Sequence, residues 1–154
     1  MHINFRMTKY LTVSNMAIRV CFLKAGVMND TVRQWTESQQ VLIRNALRRI
    51  CKNTLFAQSV RMQSLLQFVI DQTLAGNAHQ IKGYTLGVEV FGRGTDFDPL
   101  SDSIVRVEVA RLRSKLVEYY AGDGRNDEVV FELPKGGYAP LIRLSRKDAA
   151  PARS

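Results

Sequence analysis

Four cations lie close together between residues 106 and 115 of this 154-residue chain: Arg106, Arg111, Arg113 and Lys115. On a helix, Arg106 and Arg113 stand seven apart and share one face, while Arg111 and Lys115 stand four apart and share another. A guanidinium offers a planar fork of donors and an ammonium a point charge. The chemistry they supply is the holding of an anion rather than the breaking of a bond. A second basic row, Arg44, Arg48 and Lys52, keeps the i, i+4, i+8 spacing, with Arg49 beside it. That row could ride a phosphate backbone. Each row also has a plainer reading, a solvated helix face.

Other chemistries find little to work with. The chain has two histidines, His2 and His79, and two single cysteines, Cys21 and Cys51. Residues so far apart offer few ways to build a zinc site or a Cys/His catalytic pair. The acids of Asp96–Asp102 suggest a calcium loop, but the sixth and twelfth positions from Asp96 are Ser101 and Val107 rather than Gly and Glu, so calcium is rejected. A P-loop and a nucleotide-binding glycine fingerprint are missing, and Gly92-Arg93-Gly94 is too short to count as either. The expectation is a protein that is not an enzyme and takes no cofactor or metal.

The balance of 22 Lys and Arg against 14 Asp and Glu gives a net charge of +8, and the pI is near 9.9. A basic balance of that size suits a polyanionic partner such as nucleic acid or an anionic membrane surface. Hydrophobic residues at 45% and charged residues at 23% are ordinary for a globular chain. The length fits one domain with a tail. Single cysteines imply a reducing compartment, hence a cytoplasmic protein. Past residue 35 the longest apolar run, Leu65–Ile70, is already broken by Gln67, far short of the roughly 20 apolar residues of a membrane span.

The elements that must position these cations follow from periodicity. Thr36-Glu37-Ser38-Gln39 reads as a capping box for a helix over 37–53, with Ile43, Ala46, Leu47, Ile50 and Cys51 on its buried face. Ser59 caps a second helix over 60–75, with Met62, Leu65, Leu66, Val69, Ile70 and Leu74 as its core stripe and Gly76-Asn77 as its end. A short third helix over 82–91 carries Tyr84, Leu86, Val88, Val90 and Phe91, weakened by Gly83 and Gly87. Pro99 stiffens the following turn, and Ser101 or Asp102 caps the fourth helix, over 102–121. Val105, Val109, Leu112, Leu116 and Tyr119 form its buried side, and its four cations against Asp102, Glu108 and Glu118 leave it a net +1. A hairpin follows: Val129, Phe131 and Leu133 alternate on one strand and Tyr138, Pro140 and Ile142 on the return, around a Pro134-Lys135-Gly136-Gly137 turn.

Helix, short helix, loop, longer helix and hairpin is the order of a winged helix-turn-helix. Val105–Leu116 resembles the recognition helix of the OmpR/PhoB-type winged helix, whose pattern runs V-x-V-H-I-x-R-L-R-x-K-L. Tyr84–Gly92 looks like that family's short positioning helix, and Leu133–Tyr138 resembles its wing turn. The phrases at Tyr84–Pro99, Ile104–Tyr120 and Leu133–Pro140 look closer still to a variant found at the N-terminus of larger bacterial proteins. The resemblance covers about residues 40–143. Glu108 stands where the family often has His, Ala110 where an extra basic residue is frequent, and the helix over 37–53 replaces the family's N-terminal β-platform.

The resemblance implies an α+β, mainly α fold: a three-helix core with a β-hairpin wing, plus an extra N-terminal helix. It implies a sequence-specific DNA-binding transcriptional regulator with helix 102–120 in the major groove and hairpin 129–142 as wing. Arg111 and Arg113 match the family motif and would bind guanine edges or phosphates, with Arg106 and Lys115 beside them. Lys135 would touch phosphate or the minor groove, and Lys82 the backbone. The implied partner is double-stranded DNA, met as a homodimer or in tandem, since one winged helix gives modest affinity. Glu108, Ala110 and the low charge of the helix motivate a second reading: a winged-helix module that binds and modulates another regulatory protein.

Residues 1–35 carry Arg6, Lys9, Arg19, Lys24 and Arg33 against Asp30, a net +4. Asn15 and Arg19 interrupt the one candidate for a signal-peptide core, which needs about 7–15 apolar residues. The segment reads as a flexible basic arm or as a mis-assigned start. A true start at Met28 is preferred, because Met28-Asn29-Asp30 is a polar lead-in to the first helix. The domain spans 36–143, and 144–154 reads as a disordered tail.

Overall fold

The first helix begins where the sequence places it. In the computed structural model, which describes residues 34–145, the Thr36 hydroxyl accepts from the Gln39 amide at 3.2 Å while the Gln39 side chain accepts from the Thr36 amide at 3.1 Å. The expectations for the N-terminal segment up to Arg33 and for the tail beyond Ser145 lie outside the described residues. The chain divides into two units at Gln34–Trp35, and the fold described here is that of the second.

Helix α1 spans Glu37–Lys52 and buries Ile43, Ala46, Leu47 and Ile50. Asn53 then ends α1 and caps a one-turn helix α2, Thr54–Ala57, by accepting from the Leu55 amide at 3.0 Å. This turn was absent from the sequence reading. It drives Phe56 fully into the core, edge-on to Tyr119 with ring centroids 6.3 Å apart. Helix α3, Val60–Leu74, is capped by Ser59 and contributes Met62, Leu65, Leu66, Phe68, Val69 and Ile70 to the core. Its end is closed by Gly76 at φ +82°, with the Asn77 amide reaching back to the Gln72 carbonyl at 2.8 Å and the Gly76 amide to Thr73 at 3.2 Å.

After a 3-10 turn at Ala78–Gln80 comes the short helix α4, Gly83–Glu89. The glycine that weakens it has a use: a Cβ on Gly87 would lie 2.1 Å from the Phe97 ring, so the bare backbone is the seat for that ring. Tyr84 lies beside Phe97 and donates its hydroxyl to the Thr95 carbonyl at 3.0 Å. Arg93 and Asp102, 3.2 Å apart, tie the two ends of the connecting loop. Helix α5 spans Ile104–Ala121. The N-cap position falls on Ser103, which makes no side-chain cap bond, rather than on Ser101 or Asp102; Asp102, one residue earlier, accepts the Ile104 amide at 3.0 Å, and the Ser101 hydroxyl turns back to Asp98 at 2.6 Å.

Strands β1, Val129–Glu132, and β2, Leu141–Leu144, pair antiparallel, with Phe131 opposite Ile142 and Val129 opposite Leu144. The return strand therefore starts later than the alternation of Tyr138, Pro140 and Ile142 suggests. Pro140 has no N–H for a ladder, and Tyr138 leaves the strand to pack against Gly83. It also runs further, since Leu144 is paired and the Ser145 amide bonds the Glu128 carbonyl at 2.6 Å, inside the stretch read as tail. The fold is α+β and mainly α, with one core to which α1, α2, α3, α4 (through Leu86), α5 and the hairpin all contribute.

Candidate nucleic-acid interface

Helix α5 turns Val105, Val109, Leu112, Leu116 and Tyr119 inward, as the spacing requires, and Glu108 with them. Val107, Ala110, Ser114 and Val117 form an exposed, uncharged ridge on its outward side, bordered by the exposed Arg111 and Glu118. The four cations flank that ridge, and their surroundings differ.

Arg106, in the first turn, is exposed and has no partner among the described residues. Arg111 donates from Nη1 to Glu108 Oε1 at 3.1 Å. Lys115 pairs with Glu118 at 2.8 Å, both partly in water. Arg113 departs from the expectation of a guanidinium on the open face. It is half-buried, with Nε donating to the Leu133 carbonyl at 2.8 Å and Nη2 to the Pro134 carbonyl at 3.1 Å. One helical heptad on, the Tyr120 hydroxyl accepts from the Phe131 amide at 2.9 Å and donates to the Val129 carbonyl at 3.3 Å. Two side chains of α5 thus line the flank of β1 that faces away from β2. Tyr120 carries no sequence expectation of its own, although its seven-residue distance from Arg113 places both on one face of the helix.

Lys135 stands exposed on the loop Leu133–Pro140, and Lys82 stands exposed just before α4. Neither has a partner among the described residues. The two segments adjoin, because a Cβ on Gly83 would lie 3.6 Å from the Tyr138 ring and hydroxyl and 3.3 Å from Pro99. The start of α4, the loop before α5 and the return side of the hairpin loop therefore pack together. Lys82 directly precedes Gly83, Lys135 lies three residues before Tyr138, and Arg106 lies in the first turn of α5; none of the three has a side-chain partner among the described residues.

The second basic row divides. Arg44 pairs with Asp71 at 3.3 Å, where burial pushes the Asp71 carboxyl up and the guanidinium partly offsets it. Arg49 binds Asp127 at 2.7 Å, and Asp127 also receives the Tyr119 hydroxyl at 2.6 Å, which joins α1 to α5 and the approach to β1. Arg48 and Lys52 remain exposed. Burial raises the Cys51 thiol, so it stays protonated near neutrality. Among the described residues no group of three His, Cys, Asp or Glu could hold a metal ion, and no helix is long and apolar enough to cross a membrane.

The net charge is unevenly spread. Residues 34–145 hold 14 Lys and Arg against 12 Asp and Glu, a net +2 of the chain's +8. Residues 1–33 carry +4 and residues 146–154 carry +2. Compared with known proteins, the chain matches no family model, no curated protein and no solved structure.

Proposed function

We propose that this domain is a winged helix-turn-helix that binds double-stranded DNA sequence-specifically and regulates transcription, with α5 entering the major groove and the hairpin loop serving as the wing. The observation that carries this reading is that Lys82, Arg106 and Lys135 stand exposed without a side-chain partner among the described residues, while Gly83, next to Lys82, packs against Pro99 of the loop before α5 and Tyr138 of the hairpin loop. Arg106 at the leading turn of α5 reaches base edges or phosphate, while Lys135 and Lys82 hold the backbone on either side. Arg111 joins them by sharing its guanidinium between Glu108 and DNA. Lys115 lies toward the far end of α5 and acts on phosphate when it leaves Glu118. The modest charge of the domain favours binding as a homodimer or at tandem sites.

Selection of bound sequences from random DNA tests the reading and supplies the motif. The variant combining Lys82→Ala, Arg106→Ala and Lys135→Ala is then titrated against salt. Each lost phosphate contact lowers the log–log salt slope by about 0.9, so a slope reduced by 2–3 is expected. An unchanged slope rejects this surface.

One observation favours a second reading, a module that binds another regulatory protein in the cytoplasm. The ridge of α5 is uncharged, with Val107 and Val117 47% and 68% exposed. Val117→Arg separates the two. It leaves DNA affinity intact or raises it on the first reading, and abolishes partner capture after nuclease treatment on the second.

A further inference from the structure

The flank of β1 beside α5 is held by side chains rather than by a strand. Arg113 spans two successive carbonyls at the point where β1 becomes the loop, and the next residue along is Lys135. The guanidinium reaches the two oxygens from two separate nitrogens held in one plane, Nε and Nη2, whereas a lysine has a single nitrogen on a flexible stem and fixes no such fork. The fork has no carboxylate partner among the described residues, and two of its nitrogens donate to backbone carbonyls of the hairpin. We infer that Arg113 is a positioning residue: it couples the orientation of α5 to that of the wing, so that the groove-facing turn and Lys135 meet DNA in one fixed geometry. This rests on the DNA-binding reading above and replaces the direct DNA contact that the sequence suggests for Arg113.

The test uses the full chain with Arg113→Lys and Arg113→Met, each alone and combined with Lys135→Ala. Hydrogen exchange of the amides from Lys135 to Ala139 is measured without DNA. Faster exchange in both variants is expected, because neither replacement keeps two nitrogens in one rigid plane against the Leu133 and Pro134 carbonyls. On the selected DNA, Arg113→Lys should weaken binding about fivefold and as much as Arg113→Met, despite its retained charge. In the Lys135→Ala background either change should cost little more, the non-additivity of two residues acting through one contact. Unchanged exchange in both variants overturns the coupling. So does Arg113→Lys binding like the wild type while Arg113→Met fails, which marks a direct phosphate contact, or full additivity with Lys135→Ala. Wild-type protein that binds no DNA sinks the functional reading instead, and the exchange result still decides whether Arg113 holds the loop.

Discussion

Arg111 Nη1 lies 3.1 Å from Glu108 Oε1, and Glu108 is the buried charged residue among the described residues. A carboxylate pushed toward an apolar core is held there by a guanidinium that itself stands 62% in water. The pair therefore weakens the pull of Arg111 on the proposed DNA surface, because the guanidinium is shared with an anion close behind it.

Glu108→Gln releases that cation. Binding to the selected DNA should strengthen several-fold, read by fluorescence anisotropy at fixed salt. Arg111→Ala leaves the carboxylate alone and should lower stability by about 1–2 kcal/mol in urea unfolding. That is less than the 3–5 of a fully buried broken pair, because water reaches the Arg111 side.

Two glycines are occupied by aromatic rings, and the rings differ in freedom. A Cβ on Gly124 would meet the Tyr119 ring at 2.2 Å, and one on Gly87 would meet Phe97 at 2.1 Å. Tyr119 is 2% exposed and fastened to Asp127, whereas Phe97 is half-exposed on a loop and can swing out. Gly124→Ala should destabilise by about 3 kcal/mol and Gly87→Ala by about 1. Thermal unfolding of the two variants checks the order, and Phe97→Ala combined with Gly87→Ala should show a coupling absent from the Gly124 variant.

Alkaline pH should loosen the fold. Burial pushes the Tyr120 hydroxyl up to about 12, and burial together with the Asp127 hydrogen bond raises Tyr119 as well. In the unfolded chain a tyrosine titrates near 10. The folded state thus keeps these protons longer, and the stability they contribute is complete below about pH 10 and lost as pH climbs toward 12. The urea midpoint followed against pH should fall across that window, and Tyr120→Phe should shallow the fall.

Trimming the protein to residues 34–145 lowers the net charge from +8 to +2. Affinity for random DNA should drop and its salt dependence should flatten, while the ratio of specific to random binding should hold or improve. An unchanged salt slope would place all phosphate contacts within the folded domain.

Much of the architecture is legible because one-sided apolar spacing is strong. The stripes of α1, α3 and α5 and the caps at Thr36 and Ser59 appear where periodicity and capping chemistry place them. The misses share a cause. Helix α2, the late start of β2 and the role of Gly87 depend on residues far away in sequence: Phe56 meeting Tyr119, Tyr138 meeting Gly83, Phe97 meeting Gly87. The candidate site was legible in residue type but not in partnership. Spacing puts Arg106 and Arg113 on one face, yet only the folded hairpin reveals that one is unpaired and the other is bound to two carbonyls.

A two-stranded ribbon ordinarily leaves both flanks unpaired, each a template onto which another molecule can add a strand. Here a phenol and a guanidinium stopper one of them, along Val129–Pro134. Any cross-molecular extension of this ribbon must therefore proceed from β2. The same contacts that fasten the hairpin thus also guard the protein against self-polymerisation on its helical side.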